Sequence, residues 1–132
     1  KPRALKMAYL GTINLVSGDN LPELTVTLRD SNTAAPGKRL DEDNPETWMP
    51  IDLNDRFVNM LIREQGGELE HTLPMTVLVP PEDGRCTTIF PAGTLDRAGL
   101  FEAEFEVINE FGGAKHTVYD LLKLRIREKF DV

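Results

Sequence analysis

Three glutamates at alternating positions come closest to a catalytic arrangement in this sequence: Glu102, Glu104 and Glu106. Alternate residues of a β-strand lie on one face, so the three carboxylates would project together. Paired carboxylates at a defined separation hydrolyse glycosidic bonds, one as a general acid and the other as a base or nucleophile. The spacing therefore permits a hydrolase as one interpretation.

The simpler interpretation is that these glutamates form the solvent face of one strand. A later run, residues 122–128, alternates apolar residues with the bases Lys123, Arg125 and Arg127. Opposite charges on neighbouring strands stabilise a sheet, and each exposed pair contributes under about 1 kcal/mol. We therefore expect the two strands to pair acid against base. We predict no catalytic residue and no enzymatic activity.

His71, His116 and Cys86 are the remaining candidates for nucleophilic chemistry. Neither histidine has a nucleophile-elbow pattern such as G-x-S-x-G nearby. A lone histidine is a weak indicator of function, so we interpret both as surface or edge residues. Cys86 is the only cysteine, which excludes an internal disulfide and fits a small buried side chain.

An acidic cluster between residues 41 and 46 could supply oxygen ligands to a cation. It lacks the D-x-D-x-D-G order of a calcium-binding loop, and Pro45 interrupts it. A zinc site needs closely spaced cysteines and histidines, which this sequence does not have. We predict a solvated acidic loop, with no metal and no cofactor. The oxygen-bearing residues are Asp41, Glu42, Asp43, Asn44 and Glu46.

Length and charge limit the remaining classes of protein. A chain of 132 residues fits one domain with a hydrophobic core of its own. The net charge of −7 argues against a general nucleic-acid partner, which would need a concentrated basic surface. No apolar run is long enough to span a membrane, and residues 7–15 do not read as a signal peptide, so we expect a soluble protein without a membrane partner.

The elements that would position these residues are short strands. Residues 100–107 alternate strictly between apolar and acidic side chains, and similar alternation predicts strands near residues 9–16, 24–28 and 57–63. Further strands are predicted at 73–79, 85–90, 117–119 and 122–128, the last with a terminal helix as the alternative. Asp83-Gly84 indicates a tight hairpin turn. Residues 38–49 have no periodicity and predict a long loop.

Seven or eight short strands, separated by turn signals about every ten residues, predict an all-β fold, an antiparallel β-sandwich. We expect residues 1–16 to form an N-terminal arm and first strand, and residues 17–132 to form the sandwich, as one domain overall. The core is predicted from the apolar positions of the alternating runs. These are Leu24, Val26, Leu28, Val58, Met60, Ile62, Val77, Phe101, Phe105, Val107, Leu124 and Ile126.

Three segments resemble the N-terminal domain of the phage baseplate upper protein family, an immunoglobulin-like module of tailed-phage virion proteins. Residues 18–30 are similar to its opening turn, proline and threonine-rich strand. Residues 50–53 resemble its proline-hydrophobic-aspartate-leucine step, and residues 98–107 its G-x-Y-E-A-E-F strand, with Phe101 in the tyrosine position. The loop at residues 38–49 is longer than the family's short turn.

The resemblance implies an immunoglobulin-like sandwich that acts as a non-enzymatic structural component of a tailed-phage virion. Its partners would be other virion proteins in the tail or baseplate, with copies forming a homo-oligomer in a particle assembled in the host cytoplasm. Head decoration, or a head fibre of the same fold, is an alternative within this class. A carbohydrate-binding β-sandwich, using exposed aromatic side chains, is an alternative of another class.

Interface candidates come from the basic start of the chain and from the long loop. Trp48 is singled out, because large aromatic side chains dominate interface hot spots, although it could instead fold onto its own domain. The candidate residues are Lys1, Arg3, Lys6, Arg39, Asp41, Glu42, Asp43, Trp48 and Met49.

Overall fold

The computed structural model describes residues 9–19, 21–118 and 121–130. Within these residues the chain forms strands and two short 3-10 turns, at Pro45–Thr47 and Pro81–Asp83, without an α-helix. The strands are β1 (Tyr9–Val16), β2 (Glu23–Thr27), β3 (Arg29–Ala34), β4 (Trp48–Pro50), β5 (Arg56–Glu64), β6 (Leu69–Val77), β7 (Arg85–Ile89), β8 (Gly99–Asn109), β9 (Lys115–Thr117) and β10 (Leu121–Arg127).

Most of the strands form one curled, mixed sheet, whereas β3 and β4 pair separately as a two-stranded ribbon. The order of the large sheet is β1-β10-β8-β5-β6-β7-β2, and β9 pairs with β8. β6 joins its two halves, because its first part pairs with β5 while Thr76 and Val77 pair with β7. The sheet therefore turns at β6, and β1 and β2 are its two end strands.

β8 is the central strand. Its residues 101–109 pair antiparallel with β5, from Asn109 opposite Arg56 to Phe101 opposite Glu64. On its other side β10 pairs with residues 99–103 and β9 pairs with residues 106–108. The alternating run at residues 100–107 is therefore a strand, as predicted, with pairing partners on both edges.

The pairing of β1 with β10 corrects the predicted strand directions. β1 runs parallel to β10, from Tyr9 opposite Leu121 to Val16 opposite Arg127, so the sheet is mixed rather than antiparallel. Parallel neighbours need a long connection, and here nearly the whole chain lies between them. The all-β class is confirmed. Two strands beyond the predicted number, β3 and β4, lie where a turn and a long loop are predicted.

The final run of the chain, residues 121–127, is a strand and not the alternative helix. Leu122, Leu124 and Ile126 are all buried, which requires side chains at a period of two to face one side. β10 has a neighbour on each edge, β1 and β8, and these backbone hydrogen bonds favour the extended conformation.

One hydrophobic core unites both halves of the sheet. Nearly all the predicted core side chains belong to its buried cluster, and Val26 and Val77 are half-buried against it. Side chains that the alternation did not single out complete the cluster, among them Ile51, Leu53, Phe90 and Leu95. These four lie in connecting segments, where the sequence has no period to indicate which side chain points inward.

The hairpin between β6 and β7 shows why a glycine is needed at residue 84. Gly84 has φ of 72°, a left-handed conformation that side chains disfavour. A Cβ at this position would lie 2.7 Å from the carbonyl oxygen of Leu28 and 3.0 Å from that of Ile51. The Gly84 carbonyl also accepts a hydrogen bond from the Leu28 amide at 2.8 Å. This turn therefore fixes the start of the β3 and β4 ribbon against the sheet.

Candidate interaction surface

The long loop is a compact structure built on its own backbone. The Ala35 amide donates to the Thr47 carbonyl at 2.8 Å, which closes the loop at its base. The Asp41 amide donates to the Thr47 hydroxyl oxygen at 2.9 Å, and that hydroxyl lies 2.8 Å from the Asn44 carbonyl. These contacts give residues 35–47, hereafter the acidic loop, a defined conformation whose only regular element is the 3-10 turn at Pro45–Thr47.

The buried side chain of Trp48 holds the acidic loop through a hydrogen bond to the loop backbone. Its side chain is only 4% exposed, and its indole N–H donates to the Asp41 carbonyl at 3.0 Å. The indole therefore packs within its own molecule. This arrangement corrects the interpretation of Trp48 as an interface anchor, because almost none of the ring is available to a partner. It also removes Trp48 as an aromatic platform for a sugar.

The other loop candidates lie at the surface. Arg39, Asp41, Glu42 and Asp43 are exposed, and with Leu40 and Thr47 they line an open depression. Met49, on the neighbouring strand β4, is 37% exposed. The structure thus exposes these five candidates and brings four of them, Arg39, Asp41, Glu42 and Asp43, together around the depression. Lys1, Arg3 and Lys6 lie outside the described residues.

Two side-chain oxygens of the acidic loop, one from a carboxylate and one from a carboxamide, accept hydrogen bonds from backbone amides of the same loop. Asp41 Oδ1 accepts from the Asp43 amide at 2.9 Å, and Asn44 Oδ1 accepts from the Glu46 amide at 3.1 Å. Side-chain oxygens used in this way cap turns. Over the described part of the chain, no group of three or more His, Cys, Asp or Glu side chains is arranged to hold a metal ion.

The three glutamates of β8 have different environments, which corrects their assignment to one solvent face. Glu102 is only 4% exposed, Glu106 is half-buried, and Glu104 is exposed. Glu102 Oε1 lies 2.7 Å from Arg63 Nη2 and 2.9 Å from Arg63 Nε, a two-point contact across to β5. Both donors contact the same carboxylate oxygen, and hydrogen bonds between ionised groups are stronger than those between neutral groups.

The predicted acid and base pairing of β8 with β10 is only partly present. Lys123 lies opposite Glu102 in the register, but Arg125 lies opposite Leu100, and β10 does not reach Glu104 or Glu106. Glu106 instead lies 3.9 Å from Lys115 of β9. β9 pairs with the second half of β8, so β10 is not the neighbour of that half. The charges of these glutamates therefore act between strands, as a sheet-stabilising device.

A second ionic cluster joins strands that the sequence does not place together. Arg97, before β8, donates to Glu70 of β6 at 2.7 Å and to Glu64 of β5 at 3.1 Å, and its guanidinium lies 5.1 Å from the centre of the Phe101 ring. The hydrogen bond from Arg97 lowers the pKa of Glu70 and raises that of Arg97. Neither Arg97 nor Arg63 stands in a sequence motif, so only the tertiary structure reveals their contacts.

The thiol of Cys86 is buried between strands. Its Sγ lies 3.8 Å from the Met75 sulfur, and burial raises its pKa to about 12. A thiol of this kind stays protonated and is a poor nucleophile. His71, on β6, is half-buried and His116, on β9, is exposed. The environment of Cys86 fits the small buried side chain expected from the sequence.

No known protein family matches this chain, and no curated protein sequence matches it. The described residues also contain no helix with the length and apolar character needed to cross a membrane.

Proposed function

We propose that this chain is a non-enzymatic structural component of a tailed-phage virion that docks to neighbouring virion proteins in the tail or baseplate. The observation that carries the proposal is the acidic loop, whose residues 36–46 are exposed on an all-β domain yet held by internal hydrogen bonds. A preformed loop loses little conformational entropy when a partner binds it, and this favours a docking role.

We also propose that the domain is an immunoglobulin-like sandwich. Two features support it, namely the antiparallel pairing of β2 with β7 and the core cluster that both halves of the sheet share. Of the segments that resemble the baseplate family, residues 18–30 contain β2 and residues 98–107 contain most of β8, and both strands contribute side chains to that core.

The chemistry of the acidic loop indicates the kind of partner. Asp41, Glu42, Asp43 and Glu46 give it four carboxylates, against Lys38 and Arg39. Exposed charges of one sign steer a partner of the opposite sign and set the register of docking. A basic surface on a neighbouring virion protein fits this loop, and binding should weaken as salt rises.

The test is the composition of phage particles. Purified particles of the phage that encodes this chain should contain it at a fixed number of copies, measured by quantitative mass spectrometry, and gold-labelled antibody should mark the tail end. Label on the head would favour the decoration alternative. Particles that form normally and lack the chain would overturn the proposal.

A matched pair of double variants tests whether the acidic loop is needed for incorporation of the chain into the particle. Glu42→Lys with Asp43→Lys reverses two charges of the acidic loop, whereas Glu68→Lys with Glu110→Lys reverses two exposed charges elsewhere. We expect the first double variant to reduce the copy number per particle at least tenfold and the second to leave it unchanged. Equal incorporation of both would remove the acidic loop from the proposed interface.

A further inference from the structure

The outward face of the central strands carries leucines as well as charges. On β8, Leu100 and Glu104 point away from the core, because the odd-numbered residues from 101 to 107 are buried. Leu100 is 42% exposed, and Leu61 of β5 is half-buried on the same face. Single exposed leucines are common on protein surfaces, so their meaning depends on the side chains beside them.

The register places an exposed base beside the first of these leucines. Arg125 of β10 lies directly opposite Leu100 of β8. Arg125 is exposed, and it points outward because its neighbours Leu124 and Ile126 are both buried. Directly opposite residues of an antiparallel pair have Cβ atoms about 5 Å apart. Arg125 and Leu100 are therefore neighbours on the outward face, and we call them the basic pair.

An exposed acid lies beside the second leucine. Glu104 of β8 is exposed and lies directly opposite Leu61 of β5. Leu61 points outward, because Met60 and Ile62 on either side of it are buried. We call Glu104 and Leu61 the acidic pair. One face of the sheet thus carries the same combination, a leucine beside a charge, once with each sign.

The two pairs complement each other in charge and in order across the sheet. In both, the charged residue lies one strand nearer to β1 than the leucine does. Leu100 and Glu104 are separated along β8 by about 13 Å at ~3.3 Å per residue, so both pairs fit under one interface. A two-fold axis across the strands lets each copy set its basic pair on the acidic pair of the other, which makes the face self-complementary.

We propose that two copies of this chain associate through the outward face of β10, β8 and β5. Arg125 of each copy contacts Glu104 of the other, and Leu100 of each copy packs against Leu61 of the other. A second copy is the partner that fits, because this face itself supplies both signs of charge in the required order. Burial of the leucines favours association, and the two ion pairs fix the orientation of the copies.

This contact is distinct from the docking surface of the acidic loop. It lies on paired strands, and it joins two copies of the purified chain whether or not the chain enters a particle. The inference therefore does not rest on the proposed virion role, and each can fail without the other.

Charge reversal in two separate copies tests the contact. Glu104→Arg leaves a copy with two bases at the contact, and Arg125→Glu leaves a copy with two acids. Like charges then oppose each other in a dimer of either variant, whereas in a mixture of the two variants every base meets an acid. Both side chains are exposed, so neither change should unfold the chain, and urea denaturation checks this.

Sedimentation equilibrium of the purified chain at low salt measures the association. We expect the original chain to form dimers, each single variant to dimerise about tenfold more weakly, and the equimolar mixture to regain the original association. Added salt should weaken the dimer of the original chain.

The matched control uses two exposed charges outside the three strands, Glu110→Arg and Arg39→Glu. These variants should dimerise like the original chain, alone or mixed. A chain that stays monomeric at every concentration would overturn the proposal. So would Glu104→Arg and Arg125→Glu variants that dimerise as tightly as the original chain, or a mixture that associates no better than its components.

Discussion

Two acidic regions of this chain use their charges in opposite ways. On β8, Glu102 is buried against Arg63 and Glu106 lies near Lys115, so these acids contact bases on neighbouring strands. In the acidic loop, Asp41 and Asn44 use side-chain oxygens to cap local turns, and the side chains of residues 41–46 remain exposed. The first region stabilises a sheet, whereas the second presents charge to the surroundings.

The difference teaches that an acidic run acquires its role from the backbone that carries it. A paired strand brings bases from other strands within contact distance, and burial then strengthens each contact. An irregular loop can satisfy its backbone only with nearby groups, so its own side chains perform that task. The side chains packed below each region decide how rigidly the charges are held.

The largest expected effect tests the strand that carries Glu102, Glu104 and Glu106. Phe105, on the opposite face of β8, is fully buried. Phe105→Ala should lower the free energy of unfolding by about 3–5 kcal/mol, because it removes apolar contacts and leaves a cavity. Urea denaturation measures the change. Phe57→Ala, at a side chain 57% exposed, is the control and should cost under about 1 kcal/mol.

The next effect tests the anchor of the acidic loop. Trp48→Ala should cost about 3 kcal/mol, since the indole is buried and donates to Asp41. Trp48→Phe keeps most of the packing and loses the hydrogen bond, so it should cost about 1 kcal/mol. Urea denaturation again gives both values. An unchanged stability for Trp48→Ala would mean that the loop is held by its backbone alone.

A smaller effect tests the ion pair of β8. Arg63→Leu removes the two-point contact with the buried Glu102 and should cost about 1–3 kcal/mol. Arg125→Leu is the control, because Arg125 is exposed and lies opposite Leu100 rather than a glutamate. It should leave the free energy of unfolding within about 0.5 kcal/mol. Equal losses in both variants would contradict the special role of Arg63.

The smallest effect concerns Arg97 and depends on pH. Arg97 lowers the pKa of Glu70 in the folded protein below its ordinary value of 4.5. A lowered folded pKa stabilises the fold above the ordinary pKa, and that stabilisation is lost as pH falls through the lowered value. Arg97→Ala should therefore reduce Tm slightly at neutral pH, and the difference should vanish in strong acid.

Salt provides the check on that interpretation. Both ends of the Arg97 contacts are partly exposed, so added salt should screen them and reduce the difference in Tm. Calorimetry at low and high salt measures this. A difference that stays constant with salt and pH would assign the effect to packing of Arg97 on Phe101 instead of to charge.

The structure of a segment could be predicted from the sequence where its apolar and polar residues alternate regularly. The β8 run and the predicted core were clear because a period of two specifies both extension and the buried face. The burial of Glu102 was not predictable, since Arg63 is 39 residues away in sequence and meets it only through the β5 register. Trp48 was ambiguous for the same reason: its partner and its packing depend on how residues 35–47 fold back.

By itself, the sequence determined an all-β chain, the strands at its centre, the hairpin glycine and the core-facing side chains of the alternating strands. Local periodicity and local sterics specify all of these. Tertiary structure alone decided that β1 runs parallel to β10, that β9 takes the second half of β8, and which arginines meet which glutamates. Those outcomes depend on contacts between distant residues, for which alternation carries no information about partner, direction or register.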